Sequence, residues 1–154
     1  MQTRGFRSGG VEFMLYHSNR MSVGTVGFPS PLPLSGRRAV LVDDDRAILA
    51  LFLRAFRAAG CDVVAFSDFL EAKDHLSHTT PDILVTDLRL GAFNGLQLLT
   101  LGLKEAHATV IVLTGHDDPV LEREAVAASA VYMVKPITPE HLIEVVGTAV
   151  GRRP

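Results

Sequence analysis

The chain has no tryptophan and a single cysteine, Cys61. One thiol excludes an intrachain disulfide and a cysteine-based metal framework, and it suits a reducing cytosol. No apolar run approaches the about 18 residues that cross a bilayer. No Lys/Arg cluster is longer than a pair and the formal net charge is −2, so nothing in the composition points to a polyanionic partner. Arg4 and Arg7 lie near the N-terminus, but Glu12, His17 and Asn19 break up any apolar core of a signal peptide. The expectation is a cytoplasmic protein that binds neither nucleic acid nor membrane.

What is present divides in two. Residues 1–36 hold 6 of the 13 glycines and 3 of the 8 prolines, and Pro29-Ser30-Pro31-Leu32-Pro33 is linker-like. This segment is expected to be a largely disordered extension, with Val11 to Tyr16 the stretch most suited to local structure; Met14 and Met21 are alternative starts. Residues 37–151 are expected to form one domain and residues 152–154 a short tail with no output domain. The 154 residues and 47% apolar content are enough for a proper core.

The domain is organised around Arg38-Ala39-Val40-Leu41-Val42-Asp43-Asp44-Asp45, a short apolar run ending on three acids. Such a run fits a strand buried on both faces. An isolated acidic triplet would read first as a solvated loop, but the design recurs. Ile83-Leu84-Val85-Thr86 ends on Asp87, Val110-Ile111-Val112-Leu113 on Thr114, and Val131-Tyr132-Met133-Val134 on Lys135-Pro136. Cys61 to Phe66 supplies a further strand. Helical periodicity follows each strand, as in Ile48, Phe52, Ala55, Phe56 and Ala59, stopped by Gly60. Further helices are expected from Ser67 or Asp68, from an Asn94 cap to near His107, from Val120 to Ala128, and from a Thr138-Pro139-Glu140 cap onward.

Five βα units predict an α/β doubly wound fold with a parallel sheet. The flavodoxin-like order 2-1-3-4-5 is the common solution, with ligands at the C-terminal strand ends. In it Asp43, Asp44 and Asp87 share one pocket, Thr114 flanks it, and Lys135 lies about 10 Å from Asp87, within reach of a long side chain.

Clustered carboxylates need a cation. With no His or Cys in the cluster the ligands are hard oxygens, which favours Mg²⁺. A carboxylate can attack phosphorus to give an aspartyl-phosphate, and Asp87, alone at its strand end, is the best nucleophile candidate. A metal, an ammonium and a hydroxyl around it would neutralise the equatorial oxygens of a transferring phosphoryl group.

Residues 37–150 resemble a response-regulator receiver domain of two-component signalling. The resemblance rests on Val42-Asp43-Asp44, Val85-Thr86-Asp87, Asn94-Gly95-Leu96, Leu113-Thr114-Gly115 and Val134-Lys135-Pro136, in order and at family-like spacing. It implies that Asp87 is the phosphoacceptor, and that Asp43, Asp44 and Asp87 hold Mg²⁺ with the backbone carbonyl of Arg89. It further implies that Thr114 and Lys135 contact the phosphoryl group, that Tyr132 is the switch aromatic, and that the Lys135–Pro136 peptide is cis. The implied donor is a sensor histidine kinase or a histidine phosphotransfer protein, and the implied output is a downstream protein on the surface of helix 4, strand 5 and helix 5. Slow self-dephosphorylation is implied, but no enzyme activity on a separate substrate. A homodimer is compatible with the resemblance.

Two positions depart from the family pattern. Gly91 stands where a proline is usual, which predicts a more mobile loop, and Asn94 replaces an acid. A haloacid-dehalogenase-type phosphatase would need an acid where Arg89 stands. A flavin or nucleotide binder would need a Gly- or Ser/Thr-rich loop where Asp43-Asp44-Asp45 stands. A receiver-like interaction module that is never phosphorylated is the remaining alternative. Outside the cluster, Asp45 reads as a helix cap and His116-Asp117-Asp118 as a turn opening a helix. His75 and His78 read as solvated, and Cys61 as a small core residue.

Overall fold

A computed structural model describes residues 11–17, 20–26, 32–102 and 108–151 of the chain. These fall into two compact units, residues 1–31 and 32–154. In the first, β1 (Val11–His17) pairs antiparallel with β2 (Arg20–Val26), Val11 facing Val26 and His17 facing Arg20. The paired strands include Val11 to Tyr16, the stretch read as most suited to local structure, together with Arg20–Val26. Val11, Phe13 and Tyr16 in β1 and Val23, Thr25 and Val26 in β2 are β-branched or aromatic residues of the kind that favour strands.

The second unit carries a parallel sheet of β3 (Arg38–Val42), β4 (Asp62–Phe66), β5 (Ile83–Asp87), β8 (Thr109–Thr114) and β9 (Val131–Val134). Their order is β4-β3-β5-β8-β9, which is 2-1-3-4-5 when these five are numbered along the chain. Two short strands, β6 (Arg89–Leu90) and β7 (Phe93–Asn94), form a separate antiparallel ribbon. The helices are α1 (Arg46–Ala58), α2 (Phe69–His78), α3 (Leu96–Gly102), α4 (Pro119–Ala127) and α5 (Pro139–Gly151). The expected continuation of α3 to near His107 lies outside the described residues.

Strand side chains alternate between faces, and the alternation builds two cores. Ala39, Leu41, Ile83, Val85, Ile111 and Leu113 join Phe52 and Phe56 of α1 and Leu142 and Val146 of α5. Val40, Val42, Leu84, Val110 and Val112 join Phe69, Leu76, Leu98 and Ala125 from the three other helices. Both faces of β5 and β8 are buried throughout, which explains why these strands read as unbroken apolar runs.

Local chemistry sets the helix starts. Asp45, Asp68 and Asp118 cap α1, α2 and α4, each accepting two backbone N–H groups of the first turn at 2.8–3.3 Å. Past α1, Gly60 has φ +89°, and a Cβ there would press on Ser35 Cα and Leu32 Cβ at 3.0–3.1 Å, so only glycine fits. What crowds it is the segment from Leu32 to Ser35. Leu34 donates its N–H to the Ala59 carbonyl at 3.0 Å, and its side chain is 1% exposed in the α1/α5 core. The compact unit that carries the sheet thus includes Leu34.

Leu34→Ala is expected to cost about 2–5 kcal/mol in urea unfolding of the full chain, as a fully buried leucine. Leu32→Ala, 53% exposed, should change stability by no more than about 0.5 kcal/mol.

Candidate phosphoacceptor and metal site

The sheet register sets the site. Val42 of β3 lies opposite Thr86 of β5, so the next residues along, Asp43 and Asp87, emerge side by side at the C-terminal rim. Asp43 is 2% exposed and Asp87 7%, and bringing two buried carboxylates together is unfavourable without a cation. Lys135, from the far end of β9, supplies one. Its Nζ donates to Asp43 Oδ2 and to Asp87 Oδ2, both at 2.7 Å. The Lys135 N–H also donates to the Thr114 carbonyl at 2.7 Å, which holds the lysine backbone at the rim. The peptide between Lys135 and Pro136 is cis.

The remaining carboxylate oxygens are held by backbone. Asp43 Oδ1 accepts the Asp45 N–H at 2.9 Å, and Asp87 Oδ1 accepts the Arg89 N–H at 3.0 Å. Asp44 is exposed and accepts the Gly91 N–H through Oδ2 at 3.3 Å. Burial pushes the Asp43 carboxyl above the usual carboxylate range, although its bonds to Lys135 and to the Asp45 amide pull the other way. Burial alone would lower the Lys135 ammonium, but the hydrogen bonds to Asp43 and Asp87 reverse this and raise it, so it stays charged at neutral pH.

Asp43, Asp44 and Asp87 each place a carboxylate oxygen within 4.8 Å of the others. An all-oxygen donor set of that spread, with one exposed member, fits Mg²⁺. Asp45, engaged as the α1 cap, is outside the cluster.

Thr114 and Tyr132 lie beside this cluster without joining it. The Thr114 hydroxyl, 1% exposed, donates to the His116 carbonyl at 2.9 Å and accepts the His116 N–H at 3.2 Å. The Tyr132 hydroxyl accepts the Asp118 N–H at 3.1 Å and donates to the same His116 carbonyl at 3.5 Å. The two hydroxyls therefore share one acceptor in the loop before α4.

Two residues matter more than their motif positions suggested. A Cβ at Gly95 would collide with the Asp87 carbonyl oxygen and reach Thr86 Oγ1 at 3.0 Å. Gly95 also donates its N–H to the Leu88 carbonyl at 2.7 Å, so it lets the chain return against the strand that carries Asp87. Gly91, in the loop from Leu88 to Phe93, turns a two-residue hairpin. Arg89 pairs with Asn94 and Leu90 with Phe93 around it, and its φ is +60°. Such turns favour a glycine at that point. Phe93 then stacks on Phe69 of α2, ring centroids 4.5 Å apart and 7° from parallel. Away from the rim, His75 is half-buried rather than fully solvated, its ring centroid 5.0 Å from that of Phe66. Cys61 is buried, bonds through its thiol to the Leu34 carbonyl at 3.6 Å, and burial pushes that thiol up to about 11.

Residues 39–147 match the response regulator receiver domain family. The chain belongs to this family of two-component signalling proteins. Nodulation protein W of Bradyrhizobium diazoefficiens is 33% identical over 117 residues, 73% of this chain and 50% of that protein. The DNA-binding transcriptional regulator NtrC of Klebsiella pneumoniae is 33% identical over 116 residues, 73% of this chain but 24% of that protein. The chain thus spans half the length of the first relative and about a quarter of the second. Among solved structures, a receiver domain protein from Clostridium thermocellum superimposes with a TM-score of 0.67 at 26% identity, covering 75% of this chain and 95% of that one. A CheY-like receiver domain protein from Methanospirillum hungatei shares the fold, with a TM-score of 0.70 at 24% identity over 75% of this chain and 94% of that one. Among the described residues of this receiver domain, no helix is long and apolar enough to cross a membrane.

Removing the lysine should expose the repulsion it offsets. Lys135→Met is expected to lower stability in metal-free urea unfolding by about 3 kcal/mol, the scale for stripping the partner from a buried charge. Millimolar Mg²⁺ should return a larger share of stability to this variant than to the wild type. Equal stabilisation of both by Mg²⁺ would mean that metal and ammonium do not serve the same carboxylates.

Proposed function

We propose that Asp87 is the phosphoacceptor of a two-component phosphorelay. The observation that carries this is the ammonium of Lys135 at 2.7 Å from both Asp43 and Asp87, with the exposed Asp44 completing an oxygen cluster beside it. Asp43, Asp44 and Asp87, with the Arg89 carbonyl, would hold Mg²⁺. The ion would supply positive charge to the equatorial oxygens of the phosphoryl group.

The donor is a phosphohistidine of a sensor histidine kinase or histidine phosphotransfer protein. One carboxylate oxygen of Asp87 forms the O–P bond as the P–N bond breaks, and the imidazole leaves with the P–N electron pair and is protonated by water. Lys135 stays on a phosphoryl oxygen, already within a hydrogen bond of the acceptor carboxylate. The Thr114 hydroxyl leaves His116 and donates to a second phosphoryl oxygen. The His116 carbonyl it vacates is the one Tyr132 also uses, so the two side chains respond together. A charge added at the rim thereby biases the face of α4, β9 and α5 toward a new protein partner, as a two-state shift. The phosphoryl group is later lost slowly to water, without a separate substrate. The setting is cytoplasmic.

Intact-mass spectrometry after incubation with acetyl phosphate and Mg²⁺ tests this. Wild type should gain one hydroxylamine-labile phosphoryl group, and Asp87→Ala and an EDTA control should gain none. An adduct surviving Asp87→Ala would mean a different nucleophile. No adduct on wild type, under conditions that label another receiver domain, would leave an interaction module that is not phosphorylated.

A further inference from the structure

We propose that the backbone N–H of Gly91 is a positioning group for the metal site, holding the exposed Asp44 carboxylate in the cluster. This rests on the reading of Asp43, Asp44 and Asp87 as Mg²⁺ ligands.

The three acids are anchored differently. Asp43 and Asp87 are buried and each is fixed by Lys135 and by a backbone amide two residues on. Asp44 is exposed, and the bond it accepts comes from across the site: Gly91 N–H to Oδ2 at 3.3 Å, 47 residues away in sequence. Without that bond an exposed aspartate samples several rotamers, and binding an ion would have to fix it.

The amide can do this because the ribbon fixes its direction. β6 and β7 pair on either side of the Gly91-Ala92 turn, Phe93 stacks on Phe69, and Gly91 sits at φ +60°. A Cβ at Gly91 would meet nothing within 4 Å, so space does not demand glycine; the left-handed φ does. Proline could serve neither need, since its φ is fixed near −65° and it has no N–H.

The test compares Mg²⁺ affinity of the full chain by titration calorimetry, with metal-free thermal unfolding in parallel. A backbone ester at position 91, with glycolic acid replacing Gly91, deletes the N–H and keeps the φ freedom. Its affinity for Mg²⁺ should fall about three- to tenfold, the reduced effect of a charge-assisted bond at an exposed site. Gly91→Pro should fall at least as far. Gly91→Asn, which restores the donor and tolerates a left-handed φ, should recover most of the loss. A second measurement holds if a variant does not fold: in wild-type NMR spectra the Gly91 amide resonance should shift on Asp44→Asn and on Mg²⁺ addition. An ester that binds as wild type does, or a Gly91 amide indifferent to Asp44→Asn, overturns the proposal. Tighter binding by the ester also overturns it, since the amide would then be holding Asp44 away from the ion. Wild type that binds no Mg²⁺ would overturn the metal reading itself, separately from the role of Gly91.

Discussion

One ammonium between two buried carboxylates is the interaction on which the rim of this domain depends. Asp43 and Asp87 are neighbours because β3 and β5 are neighbours, and parallel pairing in register leaves them no other place. Their repulsion has to be offset within the protein or by an ion. Lys135 reaches them from β9, with β8 in between. The sheet order therefore decides the electrostatics: a strand closer in would crowd the carboxylates, and a shorter side chain would not span the gap.

The two-residue period of the strands sorts the site further. Followed past the last paired residues, Asp43, Asp87 and Lys135 share the parity of Leu41, Val85 and Met133, the face that α1 and α5 cover. Thr114 and Tyr132 share the parity of Val112, on the opposite face. Asp43, Asp87 and Lys135 thus fall on one side of the sheet plane, and Thr114 and Tyr132 on the other. This accounts for Thr114 being bonded to the loop before α4. It also gives the His116 carbonyl its place as the acceptor that both hydroxyls use.

Much of this was legible because strong local signals agreed with the global fold. Apolar runs ending on Asp43, Asp87, Thr114 and Lys135 gave the strands and the rim together, and Asp45 and Asp68 announced their helices. What could not be read depended on contacts distant in sequence. Leu34 sits in a proline-rich stretch and looks like linker until the end of α1 is brought against it. Gly91 reads as looseness because glycine is permissive, yet here one particular φ is being met, and the stack of Phe93 on Phe69 that steadies the turn spans two segments. His75 has the polar surroundings of a solvated helix in sequence, and only the placement of β4 supplies Phe66 as its neighbour.

Burial is graded across the acids, and the grading bears on how an ion would arrive. Asp43 and Asp87 are nearly closed off and already satisfied by an ammonium and by amides. Asp44 faces solvent, and among the described residues its carboxylate accepts a bond from the ribbon that crosses the site. A hydrated dication sheds water reluctantly, so first contact with the exposed acid is the least costly approach. The buried pair would then supply the charge that retains an ion. The sheet thus fixes the two acids that would repel, Asp87 among them, while the one that stays open to solvent is met by the ribbon.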